Sequence, residues 1–343
     1  MKPKPEASGL GFGRFFTDHM FVAQYSEKKG WYDPKVIPYQ PIPLDPGASV
    51  LHYGQALFEG MKAFRLQNGK FAMFRPAFNW ERMARGAERL CMQVPPKEVF
   101  LEGVRELVKI DQDWIPHQKG CSLYIRPTLI GTEAFLGVRP AEEYLFFVIL
   151  SPVSSYYVEG TKPIKIWVEE EYIRAAPGGL GATKAAANYA TSLKAAQEAK
   201  KNSYAQVLWL DVNREHVEEV GTMNVFFVFE NEIVTPALDG TILGGGTRDS
   251  VIQLLKSWGQ PVIERKVKLQ EVRDAHAKGK LREIFGTGTA AVISPVGELA
   301  AKNWKMTVNG NETGPLATQL YDELSGIQDG SRPDPFGWMV TTE

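Results

Sequence analysis

The chain has 343 residues, and its 39 lysines and arginines against 40 aspartates and glutamates give a formal net charge of −1. This length favours two domains. Because positive and negative charges nearly cancel, the composition predicts neither a nucleic-acid partner nor a membrane partner. Hydrophobic residues make up 44% of the chain and charged residues 23%, which is typical of a globular protein with a large core and excludes disordered and collagen-like classes.

Two cysteines and five scattered histidines leave little scope for a metal site or a disulfide scaffold. Cys91 and Cys121 have no paired ligand spacing, and no HExxH motif occurs. The sequence therefore predicts no metal, and it favours a reducing cytoplasm as the location. The longest apolar run, residues 144–150, is too short for a membrane span, and the first residues lack the apolar stretch of a secretory signal.

Residues 1–150 predict a smaller α+β domain. Short segments bounded by turn residues are predicted as strands, namely residues 20–25, 49–53, 122–130 and 144–150. Two segments with apolar residues at helical spacing are predicted as helices, namely residues 79–91, which begin with Asn79 as a good N-cap, and residues 99–110.

Residues 151–163 mix proline, serine, glycine and paired tyrosines, and this composition predicts a linker between domains. Residues 164–343 form the larger predicted domain. Its predicted strands and hairpin cover residues 164–170, 206–211, 224–234 and 283–286. Its predicted helices are an alanine-rich one that ends near Lys201 and one over residues 248–258.

Three glycine-rich segments of the second domain are candidates for binding or chemistry, namely PGGLGATK (177–184), LGGGTRDS (243–250) and FGTGTA (285–290). The second segment directly precedes a helix, where backbone N–H groups can hold a phosphate, and a flexible connection is the alternative. The first segment lacks the Gly-Lys-Ser/Thr of a P-loop, because Thr183 precedes Lys184 and Ala185 follows it. That order argues against an ATPase.

Lys184 is a candidate nucleophile, since its near neighbours in the sequence include no acidic residue. A lysine in a poorly solvated site loses its proton more easily, and the free amine can attack a carbonyl group to form a Schiff base. The alternative is a solvated lysine that opens an alanine-rich helix. Lys184 by itself does not decide between the two.

Seven motifs in a fixed order favour the first interpretation. They are LHYGQALFEGMKAF (51–64), FRPAFNWERM (74–83), SLYIRPTLIGTEAFLGV (122–138), GGLGATKAAANY (178–189), EVGTMNVFFVF (219–229), LGGGTRDS (243–250) and FGTGTAAVISPV (285–296). With these motifs, which are spread over residues 51–296, the sequence resembles the branched-chain amino acid aminotransferases, pyridoxal 5′-phosphate enzymes of fold type IV. The resemblance implies a two-domain α+β fold like that of D-amino acid aminotransferase, with the active site in the cleft between the domains.

The resemblance also implies roles for cofactor-binding residues. Lys184 is the implied catalytic residue, which forms the Schiff base with pyridoxal 5′-phosphate and shuttles a proton between Cα and C4′. Glu219 is the implied carboxylate opposite the pyridine nitrogen, and Tyr189 the implied donor to the ring's 3-oxygen. The implied ligands of the cofactor phosphate are Arg82, Gly246, Thr247 and Thr289. Thr222 is implied to lie near Glu219 and the ring.

The substrate pocket implied by the resemblance is mostly apolar and is lined by Phe21, Tyr53, Phe58, Tyr124, Val138, Tyr156 and Ala290. Such a lining favours a branched aliphatic side chain. Backbone N–H groups of Thr289 and Ala290 are implied to bind the α-carboxylate of the substrate. Arg126 is implied to accept the side-chain carboxylate of glutamate, and a structural ion pair is its alternative.

The implied function is reversible amino transfer between leucine, isoleucine or valine and 2-oxoglutarate, which yields the branched 2-keto acids and glutamate, within branched-chain amino acid biosynthesis. A homodimer is implied, in which Tyr53 and Val138 complete the partner's pocket.

Two rival functions share the fold, those of a D-amino acid aminotransferase and an aminodeoxychorismate lyase, and a non-enzymatic phosphate-binding module is a third alternative. The chain departs from many relatives in having three alanines, residues 185–187, directly after the lysine.

Overall fold

The computed structural model describes residues 4–6, 9–154 and 162–342. The chain divides into two compact units, the first comprising Met1–Tyr156, Thr183–Ala187 and Ser325–Glu343, and the second Tyr157–Ala182 and Asn188–Leu324. Helices and strands occur in both units, which confirms the α+β class. The predicted ranges 1–150, 151–163 and 164–343 stay a prediction. Most of the predicted linker, residues 155–161, lies outside the described residues.

The first unit contains an antiparallel sheet. Its strands are β1 (His19–Ser26), β2 (Gly30–Pro38), β3 (Ala56–Phe58), β4 (Met61–Arg65), β5 (Phe71–Phe74), β6 (Ser122–Gly131), β7 (Glu143–Val153) and β18 (Met339–Thr341). They are ordered β18-β5-β4-β6-β7-β1-β2, and β3 also pairs with β6. The helices of this unit are α1 (Ser49–Tyr53), α2 (Pro76–Arg89) and α3 (Lys97–Ile110).

The core of the first unit lies where α3 packs on β1, β2 and β7. Phe100, Val104 and Leu107 recur at helical spacing and are fully buried. The Phe100 ring stacks on that of Phe146 in β7, with the ring centres 5.5 Å apart. This packing assigns one face of the sheet to the core and leaves the opposite face for other uses.

Two sequence predictions for this unit are wrong. Residues 49–53 form α1 instead of a strand, and this helix ends where Gly54, at a φ of +61°, donates its N–H to the Val50 carbonyl. Asn79 is not an N-cap, because α2 begins three residues earlier at Pro76, a residue that suits a first helical turn. The Asn79 side chain is instead buried and bonds to Glu59.

Strands β2, β3, β4 and β5 were not predicted from the sequence. Three of them have only three to five residues, which is too short for a clear alternating pattern. Strand β2 contains Pro34, and proline argues against a central strand. The structure accommodates it because β2 is the last strand of its sheet, where a missing N–H breaks no ladder.

The second unit contains a mixed sheet. Its strands are β8 (Ile164–Val168), β9 (Gln206–Leu210), β10 (His216–Val220), β11 (Asn224–Phe229), β12 (Ile233–Thr235), β13 (Val262–Glu264), β14 (Val267–Lys268), β15 (Leu281–Gly288), β16 (Val292–Ala301) and β17 (Trp304–Thr307). They are ordered β13-β12-β11-β15-β16-β8-β9-β10-β14, and β17 pairs with β16. The later helices of the chain are α4 (Ala186–Lys201), α5 (Gly246–Ser257), α6 (Leu269–Ala277) and α7 (Pro315–Asp329).

Two large aromatic side chains stack in the interior of the second unit. Phe226 on β11 and Phe285 on β15 are fully buried, and their rings stack with centres 5.2 Å apart. The predicted hairpin over residues 224–234 and the predicted helix over residues 248–258 are confirmed to within two residues at each end. In the described residues, none of the helices combines the length and the hydrophobicity that a membrane span requires.

Candidate active site

Strand β6 places a tyrosine and an arginine side by side on the face of the sheet that does not pack on α3. Residues alternate along a strand, so Tyr124 and Arg126 share one face while Ile125 points into the core. The Arg126 guanidinium donates a hydrogen bond to the Tyr124 hydroxyl at 3.0 Å. It also lies 4.6 Å from the ring centre of Phe58. The structure therefore brings together three of the predicted substrate residues.

Lys184 joins this cluster through Phe58. The Phe58 N–H donates to the Lys184 carbonyl at 3.2 Å, and the Lys184 ammonium lies 4.8 Å from the Phe58 ring centre. Lys184 is half-buried as a whole residue, but protein surrounds its amine. This burial lowers the pKa of Lys184 to about 8, with a further lowering by the Arg82 charge and an opposing effect of Glu59. At pH 7 about a tenth of the amine is then unprotonated, far more than for an ordinary lysine.

Arg82 projects from α2 and forms a bidentate ion pair with the buried carboxylate of Glu59. Its Nε donates to Glu59 Oε1 at 2.8 Å and its Nη2 to Glu59 Oε2 at 2.7 Å. Asn79, one turn earlier on α2, donates to Glu59 Oε2 at 2.7 Å. Glu59 was missed as a site residue in the sequence, where it stands 23 positions before Arg82 within the motif LHYGQALFEGMKAF.

Two further residues shape the surroundings of Tyr124 and were not identified from the sequence. The ring of Phe12 meets the Tyr124 ring edge-on, with centres 4.8 Å apart. A Cβ atom at Gly60 would stand 2.0 Å from the Tyr124 hydroxyl oxygen, so only glycine fits there. The phenylalanine carried no signal in the sequence, whereas the glycine is part of the motif that includes Glu59.

The prediction that Phe21 lines the substrate pocket is wrong. Phe21 pairs in register with Val148 and therefore points to the core face of the sheet, opposite to Tyr124. Its ring lies 2.6 Å from where a Cβ atom of Gly103 in α3 would stand, and it also contacts Phe146. Another predicted pocket residue, Tyr156, lies outside the described residues.

Tyr53 and Val138 lie on an exposed apolar surface of the first unit. The Tyr53 hydroxyl donates to the Leu136 carbonyl, which ties α1 to the loop after β6. The exposed apolar side chains of this surface are Leu51, Tyr53, Phe135, Leu136 and Val138, and Val138 is 87% exposed. A patch of this kind is typical of a protein–protein contact.

In the second unit, strand β10 carries Glu219, which is almost fully buried. Its Oε2 pairs with Arg174 Nε at 3.0 Å, and its Oε1 accepts the Leu243 N–H at 2.7 Å. Both contacts favour the ionised carboxylate. The structure thus provides a buried negative charge at the residue predicted to face a pyridine nitrogen.

The glycine-rich turn before α5 is shaped by Asn224. The Asn224 side chain donates to the Leu243 carbonyl at 2.8 Å. A Cβ atom at Gly245 would lie 2.2 Å from the Asn224 Oδ1, so the turn excludes a side chain there. Helix α5 begins at Gly246, followed by the buried Thr247, and the first N–H groups of a helix form a site for anions. These features fit a phosphate group.

The other predicted residues of the second unit lie on α4 and in two turns. Tyr189 is half-buried on α4, Thr222 is exposed, and Thr289 and Ala290 are half-buried in the turn that follows β15. Their roles stay predictions. Across the described part of the chain, no group of three or more histidine, cysteine or acidic side chains is placed to hold a metal ion.

Comparisons with known proteins agree with the motifs. Residues 56–299 match the family model for class IV aminotransferases. Two Bacillus subtilis proteins, branched-chain-amino-acid aminotransferase 2 and branched-chain-amino-acid transaminase 1, are 55% and 50% identical over 100% and 99% of this chain. The alignments cover 94% and 96% of those two proteins.

Solved structures share the fold. The branched-chain amino acid aminotransferase of Escherichia coli matches with a TM-score of 0.80 and 25% identity, over 95% of this chain and 100% of that chain. The branched-chain amino acid aminotransferase of Thermobaculum terrenum, solved in its PLP-form, matches with a TM-score of 0.75 and 21% identity, over 96% of this chain and 99% of that one. The predicted fold type IV is therefore confirmed, and the chain belongs to the class IV aminotransferases and, within them, to the branched-chain-amino-acid aminotransferases.

Proposed function

We propose that the chain transfers amino groups reversibly between leucine, isoleucine or valine and 2-oxoglutarate, with pyridoxal 5′-phosphate as its cofactor. The observation that carries the proposal is the Lys184 amine, which burial brings to a pKa of about 8 beside Phe58, Tyr124 and Arg126. The family and the names of the similar Bacillus subtilis enzymes support the same reaction.

The residues present fit the cofactor. When bound, pyridoxal 5′-phosphate supplies an electron sink for the charge that develops at Cα of the amino acid. Lys184 binds the cofactor covalently and then holds and moves the proton at Cα, for which an amine with a pKa near 8 is suited. Glu219 would face the pyridine nitrogen and favour its protonated form, because the contacts with Arg174 and the Leu243 N–H favour a negative charge on its carboxylate.

Further roles follow the family. Tyr189 donates to the 3-oxygen of the ring, and Thr222 lies near the ring. The cofactor phosphate is held by a guanidinium, by backbone N–H groups at the start of α5 and by a hydroxyl, namely those of Arg82, Gly246, Thr247 and Thr289.

One cluster of side chains serves two kinds of substrate. The rings of Phe58 and Tyr124 offer apolar surface to a branched aliphatic side chain, at about 25 cal/mol per Å2 buried. The Arg126 guanidinium lies over both rings, 4.6 Å and 5.1 Å from their centres, and offers a cation to the side-chain carboxylate of glutamate. Backbone N–H groups of Thr289 and Ala290 bind the α-carboxylate that all these substrates share.

We further propose a homodimer in the cytoplasm, active in branched-chain amino acid biosynthesis. The exposed surface around Tyr53, Leu136 and Val138 supports the dimer, because a monomer gains nothing from so exposed an apolar patch. In this dimer, Tyr53 and Val138 complete the partner's pocket.

Covalent trapping tests the central assignment. The purified protein is expected to be yellow, and borohydride is expected to fix the cofactor to a single peptide that contains Lys184. Fixation at another lysine, or none, ends the assignment of Lys184. A panel of amino donors and 2-keto acids then tests the substrates, and activity confined to D-amino acids contradicts the proposed function.

A further inference from the structure

Glu59 is a buried carboxylate that pairs with one cationic side chain and acts electrostatically on a second. It is fully buried, and Arg82 is only 7% exposed. Both oxygens of Glu59 accept hydrogen bonds from the Arg82 guanidinium, at 2.8 and 2.7 Å, which is the bidentate arrangement. The second cation is Lys184, whose amine is influenced by both members of the pair.

The position of Glu59 is fixed from several sides. Its N–H donates to the Pro127 carbonyl at 2.8 Å, and Asn79 Nδ2 donates to Glu59 Oε2 at 2.7 Å. The same Asn79 group donates to the Gly60 carbonyl at 3.2 Å. Glu59 therefore links α2 to the connection between β3 and β4, which consists of Glu59 and Gly60 and directly follows Phe58.

The charges act on Lys184 with opposite signs. The Arg82 guanidinium disfavours the ammonium form of Lys184 and lowers its pKa, whereas the Glu59 carboxylate favours that form and raises it. The hydrogen bonds hold the two opposite charges together, so their effects at Lys184 partly cancel, and burial remains the largest influence. Without Glu59, the amine would face an uncompensated guanidinium.

We infer that Glu59 is a positioning residue for the amino-transfer reaction, which holds the Arg82 guanidinium in one orientation and offsets its charge beside Lys184 without touching the substrate. This inference rests on the proposed function, since it assigns a task to a neighbour of the reacting lysine. It adds to the family motif a reason for the glutamate next to Gly60.

The test measures how removing each charge changes the titration of Lys184 in the full-length apoenzyme. Trace labelling of amines with acetic anhydride over a series of pH values, followed by peptide mass spectrometry, gives the titration midpoint of Lys184. Glu59→Gln is expected to lower this midpoint by about one pH unit, the size typical of a nearby charge. Arg82→Met is expected to raise it, and the double variant is expected to return it close to that of the unmodified protein.

Two further variants separate charge from structure. Glu59→Asp keeps the charge and is expected to keep the midpoint, although the shorter side chain loosens the pair. Glu232→Gln is the matched control, because Glu232 pairs with Arg265 at 2.6 Å in the second unit. It is expected to leave the Lys184 midpoint unchanged. A merely structural role of Glu59 cannot move the midpoint in opposite directions in the two single variants.

The outcomes are distinguishable from those of the proposed function. If Glu59→Gln leaves the midpoint in place, or if Arg82→Met lowers it, the inference is overturned even when the protein binds its cofactor at Lys184. If Glu59→Gln fails to fold, Arg82→Met and the double variant decide, because replacing both members of a buried pair is far better tolerated than replacing one. Failure of borohydride to fix pyridoxal 5′-phosphate at Lys184 in the unmodified protein overturns the proposed function instead.

Discussion

The two units each contain a buried pair of a glutamate and an arginine, but the pairs are built differently. In the first unit, the Glu59 carboxylate accepts hydrogen bonds from two guanidinium nitrogens of Arg82 and from the side-chain amide of Asn79. In the second, the partners of the Glu219 carboxylate include Nε of Arg174 and the Leu243 N–H. Arg174 also donates to the carbonyls of Thr241 and Gly181, at 2.9 and 3.2 Å.

This difference separates two uses of the same residue types. A carboxylate in a bidentate ion pair with one guanidinium forms a nearly neutral unit with it. Such a carboxylate mainly fixes the orientation of the guanidinium and offsets its positive charge. A carboxylate whose arginine is shared with backbone carbonyls remains an ionised acceptor suited to a positively charged ring nitrogen. Glu59 should therefore matter most for folding and Glu219 most for turnover.

The largest expected effect is on stability in the first unit. Glu59→Ala leaves the buried Arg82 without its counter-charge, and breaking a buried pair in this way costs about 3–5 kcal/mol. Urea unfolding measures the loss. The exposed carboxylate of Glu102, which pairs with Arg105 on α3, is the control, and Glu102→Ala is expected to cost less than about 1 kcal/mol. Equal losses in the two variants contradict the role given to the buried pair.

The next effect is on turnover in the second unit. Glu219→Gln keeps an oxygen for the Leu243 N–H but removes the charge, so folding and cofactor occupancy should be largely retained. The rate constant should fall by about 100-fold or more, or about 2.7 kcal/mol of transition-state stabilisation. Single-turnover kinetics measures it. The adjacent buried Glu218 gives the control, since Glu218→Gln should leave the rate near that of the unmodified protein. An unchanged rate in Glu219→Gln shows that this residue is not the partner of the ring.

A smaller effect concerns substrate choice near the first pair. Arg126→Gln removes the cation over Phe58 and Tyr124, so glutamate should lose about 1.5–3 kcal/mol while leucine loses little. Single-turnover kinetics with each amino acid separates the two half-reactions. Equal losses for both substrates would mean that Arg126 is structural, and a loss confined to leucine would overturn the assignment of the cluster.

Long periodic elements and ordered motifs could be predicted from the sequence. Helix α3 and the hairpin of β11 and β12 follow from apolar spacing, and Lys184 follows from its motif. Glu59 could not be found in this way, because a buried pair between residues 23 positions apart leaves no local pattern. The prediction for Phe21 was wrong for a related reason. An aromatic residue in a strand fits either face of the sheet, and only the register with Val148 decides which face Phe21 occupies.

A second buried lysine tests whether burial alone suffices to lower the pKa of an amine. Lys62 lies on β4 opposite Tyr124, and burial lowers its pKa to about 8, with a weaker opposing effect of the Cys121 thiol. In the unfolded chain the pKa of a lysine returns to its ordinary value of about 10.4. Between these two values the unfolded state binds more protons than the folded state, so stability rises with pH.

The expected contribution of Lys62 is a slope of up to about 1.4 kcal/mol per pH unit in the free energy of unfolding above pH 8, and Lys62→Met should remove it. Urea unfolding at several alkaline pH values measures this slope. The exposed Lys165 on β8 is the control, because Lys165→Met should leave the slope as it is. If Lys62→Met also leaves the slope unchanged, burial in the first unit does not suffice to deprotonate an amine, and the pKa of Lys184 must depend more strongly on Arg82 and Glu59.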